Sequence, residues 1–171
     1  MKKSQTSMRF RIIIFILTAG MIAFAFIHSS MPADLSGEES ESVMAVLQYI
    51  LDFLGFSAEL TDHIVRKAAH FAEYTAIGML LVSCAYSFSR TKPYRYYSQI
   101  LFAGLATAVI DETIQLNVAG RSGQITDVLL DFSGVITGAV FMLLVYMIYR
   151  KIRKIKLFLC SLQRSISAFL V

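Results

Sequence analysis

Four stretches of this chain are each long and apolar enough to cross a hydrocarbon layer, and no other feature restricts the fold as much. At a rise of 1.5 Å per residue, a helix needs about 20 mainly apolar residues to span a core of ~30 Å. The stretches cover residues 10–28, 68–88, 97–115 and 127–149. Apolar residues make up 56% of the chain and charged ones only 16%, where a soluble chain would be about a quarter charged. The sequence therefore predicts an all-α, polytopic membrane helix bundle with four transmembrane helices.

The first stretch follows a basic start, as a signal peptide would. Its run is long, however, and Ile27-His28-Ser29-Ser30-Met31-Pro32 is a poor small-residue cleavage site. It is read as a retained helix.

Orientation follows from the bases. Of 16 Lys and Arg, three (Arg66, Lys67 and Arg121) are left on one side of the four spans and all the others fall on the opposite side. That bias makes the richer side cytoplasmic. It gives a cytoplasmic N-terminus over 1–9, a membrane domain over 10–149 and a basic cytoplasmic tail over 150–171. The net charge of +4 is thus a matter of topology and of contact with the anionic inner leaflet, not of nucleic acid.

The first outer loop is expected to carry an amphipathic helix. Val43, Val46, Leu47, Ile50, Leu51 and Leu54 fall on one face of residues 42–56, suited to the outer leaflet or to a lid over the bundle. Thr61 or Asp62 is placed to cap the helix that follows. Cys84 and Cys160, without any CxxC or Cys/His pattern, read as free thiols serving as small hydrophobes.

Ionisable residues inside membrane helices are costly and are functional candidates by default. Here all of them fall in the outer halves. On the second helix Arg66, His70 and Glu73 share a face at i, i+4, i+7 spacing, with Lys67 beside them. The third ends in Asp111-Glu112-Thr113-Ile114-Gln115, with Arg121 in the short loop beyond. The fourth opens with Asp127 and Asp131, and Gly134 and Gly138 continue that stripe. Small residues four apart let helices approach closely, so the stripe faces the bundle and carries its acids inward.

These residues predict an outward-opening polar pocket. Its ligand-binding candidates are Arg66, Lys67, His70, Glu73, Asp111, Glu112, Gln115, Arg121 and Asp127. Expected ion pairs are Arg66 or Lys67 with Glu112 or Asp127, and Arg121 with Asp111 or Glu73. His70 and Glu73 are the candidate catalytic acid/base pair, and Asp111, Glu112 and Asp127 the candidate metal ligands. The same groups could serve only as buried pairs that set helix register. His28 reads as an interfacial residue at the pocket rim, and His63 as a solvated residue at a helix start.

Two segments resemble the signatures of the VanZ-like family. One is Asp62-His63-Ile64-Val65-Arg66-Lys67-Ala68-Ala69-His70-Phe71-Ala72-Glu73-Tyr74 with Gly78. The other is Asp111 to Gln115, Gly120-Arg121-Ser122-Gly123, then Asp127 with Gly134 and Gly138. The resemblance covers residues 10–149. It implies a bacterial plasma-membrane protein of four helices and, from the family's namesake, low-level resistance to the glycopeptide teicoplanin. Asp131 stands where the family commonly has asparagine.

Three functions compete at this level. The first is a non-enzymatic envelope protein that binds a glycopeptide or a lipid-linked cell-wall precursor. The second is a membrane enzyme acting on a lipid head group, although no HExxH, DxD or serine-nucleophile motif supports it. The third is a proton-coupled transporter, disfavoured by the apolar cytoplasmic halves and the lack of an inverted repeat. The partners expected are the bilayer and an amphiphile. No cofactor is expected, since no phosphate-cradling glycine loop is present.

Overall fold

The computed structural model describes residues 6–32, 61–121 and 123–169, with scattered positions between 44 and 53. Side chains are described throughout these except at 62 and 161–169. All regular structure among the described residues is helical. Helix α1 runs Met8–Ser29, α2 Asp62–Phe88, α3 Tyr97–Gln115 and α4 Ile125–Phe169, with a 3-10 turn Pro93–Tyr96 leading into α3.

Each start has a local cause. Ser7 accepts a hydrogen bond from the Phe10 amide at 3.3 Å and caps α1. Thr61 does the same for Ile64 at 3.4 Å and starts α2 six residues before the apolar stretch begins. Pro93 opens the 3-10 turn, where a missing N–H costs nothing. Between α3 and α4 the chain reverses at Gly120, whose φ of 76° suits glycine.

Helix α4 is the longest. No glycine or proline follows Gly138, so nothing breaks it where the apolar stretch ends at Tyr149. It continues as one helix through the basic tail. Its 45 residues span about 67 Å at 1.5 Å per residue, roughly twice a bilayer core.

Three of the helices are long and apolar enough to cross a bilayer: Met8–Ser29, His63–Phe88 and Ile125–Cys160. Helix α3 is not among them, with Ser98 and Gln99 at one end and Asp111 and Glu112 at the other. Large apolar side chains cover the outside, among them Ile16, Ile27, Phe102, Leu129 and Phe141. An apolar exterior around buried polar groups marks a membrane protein.

The tightest seam joins α2 to α4. Gly134 lies so close to α2 that a Cβ there would stand 2.7 Å from the Phe71 carbonyl oxygen. At Gly138 a Cβ would collide with the Thr75 carbonyl. The inward-facing small-residue stripe of the sequence is thus the line of closest approach. Two apolar layers flank it: Ala25, Tyr74, Ile77, Ala108 and Val135 in one, Val82, Ala85, Ile100 and Ala139 in the other.

The helices alternate in direction. At one end Thr6 Oγ1 donates to the Ser87 carbonyl at 3.1 Å, and the Arg150 guanidinium donates to the Thr91 carbonyl. The start of α1, the α2–α3 connection and the basic stretch of α4 therefore share this end. The opposite end holds the C-terminus of α1 and the α3–α4 loop, joined where Arg121 Nη2 donates to the His28 carbonyl at 3.3 Å. The expected amphipathic helix over 42–56 lies mostly outside the described residues. Met44, Ala45, Gln48, Tyr49 and Phe53 are helical, and Tyr49 and Phe53 are exposed.

Candidate functional site

The end that holds His28 and Arg121 contains a cavity of about 210 Å³. Helix α2 supplies His63, Arg66, Lys67 and His70 to its walls, α3 supplies Glu112 and Gln115, and α4 supplies Asp127, Leu130 and Asp131. Gly120, Arg121 and Gln124 close it from the loop. Three helix ends meet here because the acids and bases occupy the same terminal turns of each.

The rim is partly paired. Lys67 Nζ lies 2.8 Å from Asp127 Oδ1, with both side chains part-exposed. This is one of the pairs expected from sequence. Glu112 Oε2 accepts from the Gln124 amide at 3.0 Å and ties the end of α3 to the approach to α4. Arg121 was expected to pair with Asp111 or Glu73, but its guanidinium donates to the His28 carbonyl instead. Burial pulls its guanidinium below the ordinary value and Arg66 pushes the same way, while Asp111, Glu112 and Glu73 oppose. The Arg121 side chain stays charged, since arginine does not deprotonate in proteins. Its Nε has no hydrogen-bond partner among the described residues.

Behind the cavity lies a hydrogen-bonded cluster centred on the fully buried Asp111. Ser29 Oγ donates to Asp111 Oδ2 at 2.7 Å. Gln115 Nε2 donates to Ser29 Oγ at 3.3 Å and to Asp111 Oδ2 at 3.4 Å. Both bonds to Asp111 fall on Oδ2 and leave Oδ1 without a hydrogen-bond partner among the described residues. His70 Nδ1 faces Oδ2 at 3.9 Å, too far for a hydrogen bond. Asp131 is 1% exposed, and neither of its carboxylate oxygens has a hydrogen-bond partner among the described residues.

Most of the sequence candidates converge on this cavity. Glu73 and Asp111 lie behind its lining instead. Glu73 Oε1 is 3.0 Å from His28 Nδ1, so the partner of Glu73 is His28 rather than His70. The His28 ring in turn stacks on His70, with centroids 5.9 Å apart. His63, expected to be merely solvated, is exposed but lines the cavity.

Of the expected metal ligands, Glu112 and Asp127 have the partners just described. Among the described residues, the three groups whose ligand atoms lie within 4.8 Å of one another are His70, Asp111 and Asp131. Ser29 was not singled out from sequence. Its signal was the polar run His28-Ser29-Ser30 closing an otherwise apolar helix. Asp131 stood out by the i+4 step from Asp127 along the glycine stripe and as an acid where the family commonly has asparagine, but it was not among the expected metal ligands.

Apolar helices around a charged cavity at one end define a helical membrane protein with a polar cluster buried in its bundle. A model of the VanZ/LLP1 family matches residues 13–161, and the chain belongs to that family. No curated protein and no solved structure matches it.

Proposed function

We propose that this is a four-span protein of the bacterial plasma membrane, with both ends in the cytoplasm, whose outward pocket holds the anionic head of an amphiphile. The amphiphile is a glycopeptide of the teicoplanin type or a lipid-linked envelope precursor, and the outcome is low-level resistance. Helix α3, 19 residues long, is the fourth span at about 28 Å.

One observation carries this reading: Arg66, Lys67 and Arg121 line a single cavity at the end of an apolar bundle. Charge-assisted hydrogen bonds to phosphate or carboxylate are the strong ones. The exposed apolar flanks leave room beside the cavity for a lipid tail.

The test is binding of teicoplanin and of a lipid-linked wall precursor to the full chain in nanodiscs. Losing one charge-assisted contact of about 1.5–3 kcal/mol should weaken binding roughly 10- to 100-fold in Arg121→Ala. The same variant should confer less teicoplanin resistance on a susceptible host. Unchanged binding and unchanged susceptibility at normal expression would reject the proposal. The second reading, a lipid head-group enzyme, is favoured by the one histidine and two acids grouped at the pocket floor.

A further inference from the structure

We infer that His70, Asp111 and Asp131 form a divalent-cation site at the floor of the pocket, with the donor set of a Zn²⁺ or Mn²⁺ site. One donor comes from each of α2, α3 and α4, and the three ligand atoms lie within 4.8 Å of one another. Donors about 2.1 Å from a common cation lie about 3.0–3.4 Å apart, so a small side-chain rotation closes the set.

The second observation is independent of that clustering. Asp131 is 99% buried and aimed at the group, yet both its oxygens lack a partner among the described residues. Buried polar atoms are nearly always satisfied, and each exception needs a cause. Asp111 repeats the pattern. Its Oδ2 is held by Ser29 and Gln115, which orient the carboxylate, while Oδ1 is left open. His70 Nδ1 is likewise buried without a hydrogen-bond partner among the described residues. Orphaned atoms therefore occur on all three donors, one or more on each.

Charge points the same way. Neither Asp111 nor Asp131 forms an ion pair with a lysine or arginine among the described residues, while Lys67 is taken by Asp127. Two ionised carboxylates carry two negative charges, and a divalent cation balances them. One imidazole with two carboxylates is a mixed nitrogen and oxygen set, which suits Zn²⁺ or Mn²⁺ better than Mg²⁺ or Ca²⁺, whose ligands are oxygens. The Ser29 and Gln115 bonds to Asp111 are the kind of outer support that fixes a ligand's orientation. Three protein donors leave coordination positions open. They face the cavity, because His70 and Asp131 are part of its lining.

The probe is the metal alone, so the outcome does not depend on which amphiphile the pocket takes. The full chain in nanodiscs is stripped with EDTA, titrated with Zn²⁺ or Mn²⁺ and desalted. Bound metal is then counted by mass spectrometry, Mn²⁺ is followed by electron paramagnetic resonance, and the melting temperature is recorded. The site predicts one ion per chain and a metal-dependent rise in melting temperature. It also predicts at least tenfold weaker binding in both Asp131→Asn and His70→Gln.

Asp131→Asn removes an unpaired buried acid and should fold at least as well as the parent. Should it fail to fold, His70→Gln decides. Absence of saturable binding, or undiminished binding in a folded variant, overturns the site. So does a parent protein indifferent to both EDTA and metal whose Asp131→Asn variant melts higher, because a proton would then be the neutralising charge. If metal binds while Arg121→Ala leaves amphiphile binding intact, the pocket reading falls and the cation site stands.

Discussion

The two ends of the bundle handle buried polar groups in opposite ways. At the end that holds the start of α1, the buried groups are mostly hydroxyls, and each finds a partner. Thr18 donates to the Ile14 carbonyl at 2.7 Å and Ser87 to the Cys84 carbonyl at 2.6 Å. Tyr146 donates to Ser83 at 3.1 Å, and Ser83 to the Met79 carbonyl at 2.8 Å. Arg90 Nε is the exception there among the described residues. At the opposite end the buried groups are carboxylates, an imidazole, an amide and the Ser29 hydroxyl, and several carboxylate and imidazole atoms have no hydrogen-bond partner among the described residues. Hydroxyls that bond back to their own helix can be buried cheaply and do little else. A buried carboxylate left open is costly in an apolar medium. The first end holds helices together, while the second keeps buried polar atoms without partners among the described residues, which is the observation on which the proposed site rests.

The largest effect should come from the seam that both ends share. Replacing Gly138 by valine puts a branched side chain against the Thr75 backbone of α2, and the backbone cannot yield as a flexible side chain would. The expected cost is about 3 kcal/mol or more, at or above the upper range for overpacking. Gly138→Val should lose both apolar layers together, read as loss of monodisperse protein and of helical thermal cooperativity. Retention of the layer around Val82 alone would show that the two ends are separate bodies, and the comparison would lose its basis.

A smaller effect separates the open end from a merely paired one. Ser29→Ala removes the shortest bond to Asp111 and leaves a fully buried carboxylate with Gln115 alone. Hydrogen bonds to charged groups contribute about 1.5–3 kcal/mol, and the thermal midpoint should fall accordingly. An unchanged midpoint would mean that Asp111 is held neutral, which narrows the contrast between the ends.

The sequence made the helices legible because lipid leaves little choice. A long apolar run has to satisfy its own backbone, and a helix does so. The stripe Asp127, Asp131, Gly134, Gly138 disclosed the face of α4 that packs inward, since small residues four apart mark close approach. Partner choice was harder to read. Whether Glu73 meets His70 or His28 depends on how α1 packs beside α2, and the apolar run of α1 says nothing of its rotation. Ser29 was hidden for the same reason, because a serine at a helix end looks like an ordinary interfacial residue. The extension of α4 past Tyr149 was legible in principle. The basic tail contains no glycine or proline to break the helix.

The smallest effect belongs to the satisfied end and tests whether its polar groups do more than hold. Tyr146→Phe deletes the hydroxyl that donates to Ser83 and keeps the ring, which stacks on Tyr86 with centroids 3.9 Å apart. Ser83 still donates to Met79, so no orphaned donor results. Interhelical hydrogen bonds in membrane bundles average about 0.6 kcal/mol, and the variant should lose roughly that much. Amphiphile and metal binding should not change, since the cavity lies at the other end. A Tyr146→Phe protein with normal stability but altered binding would tie the two ends together, and the division of labour drawn from their hydrogen bonding would have to be given up.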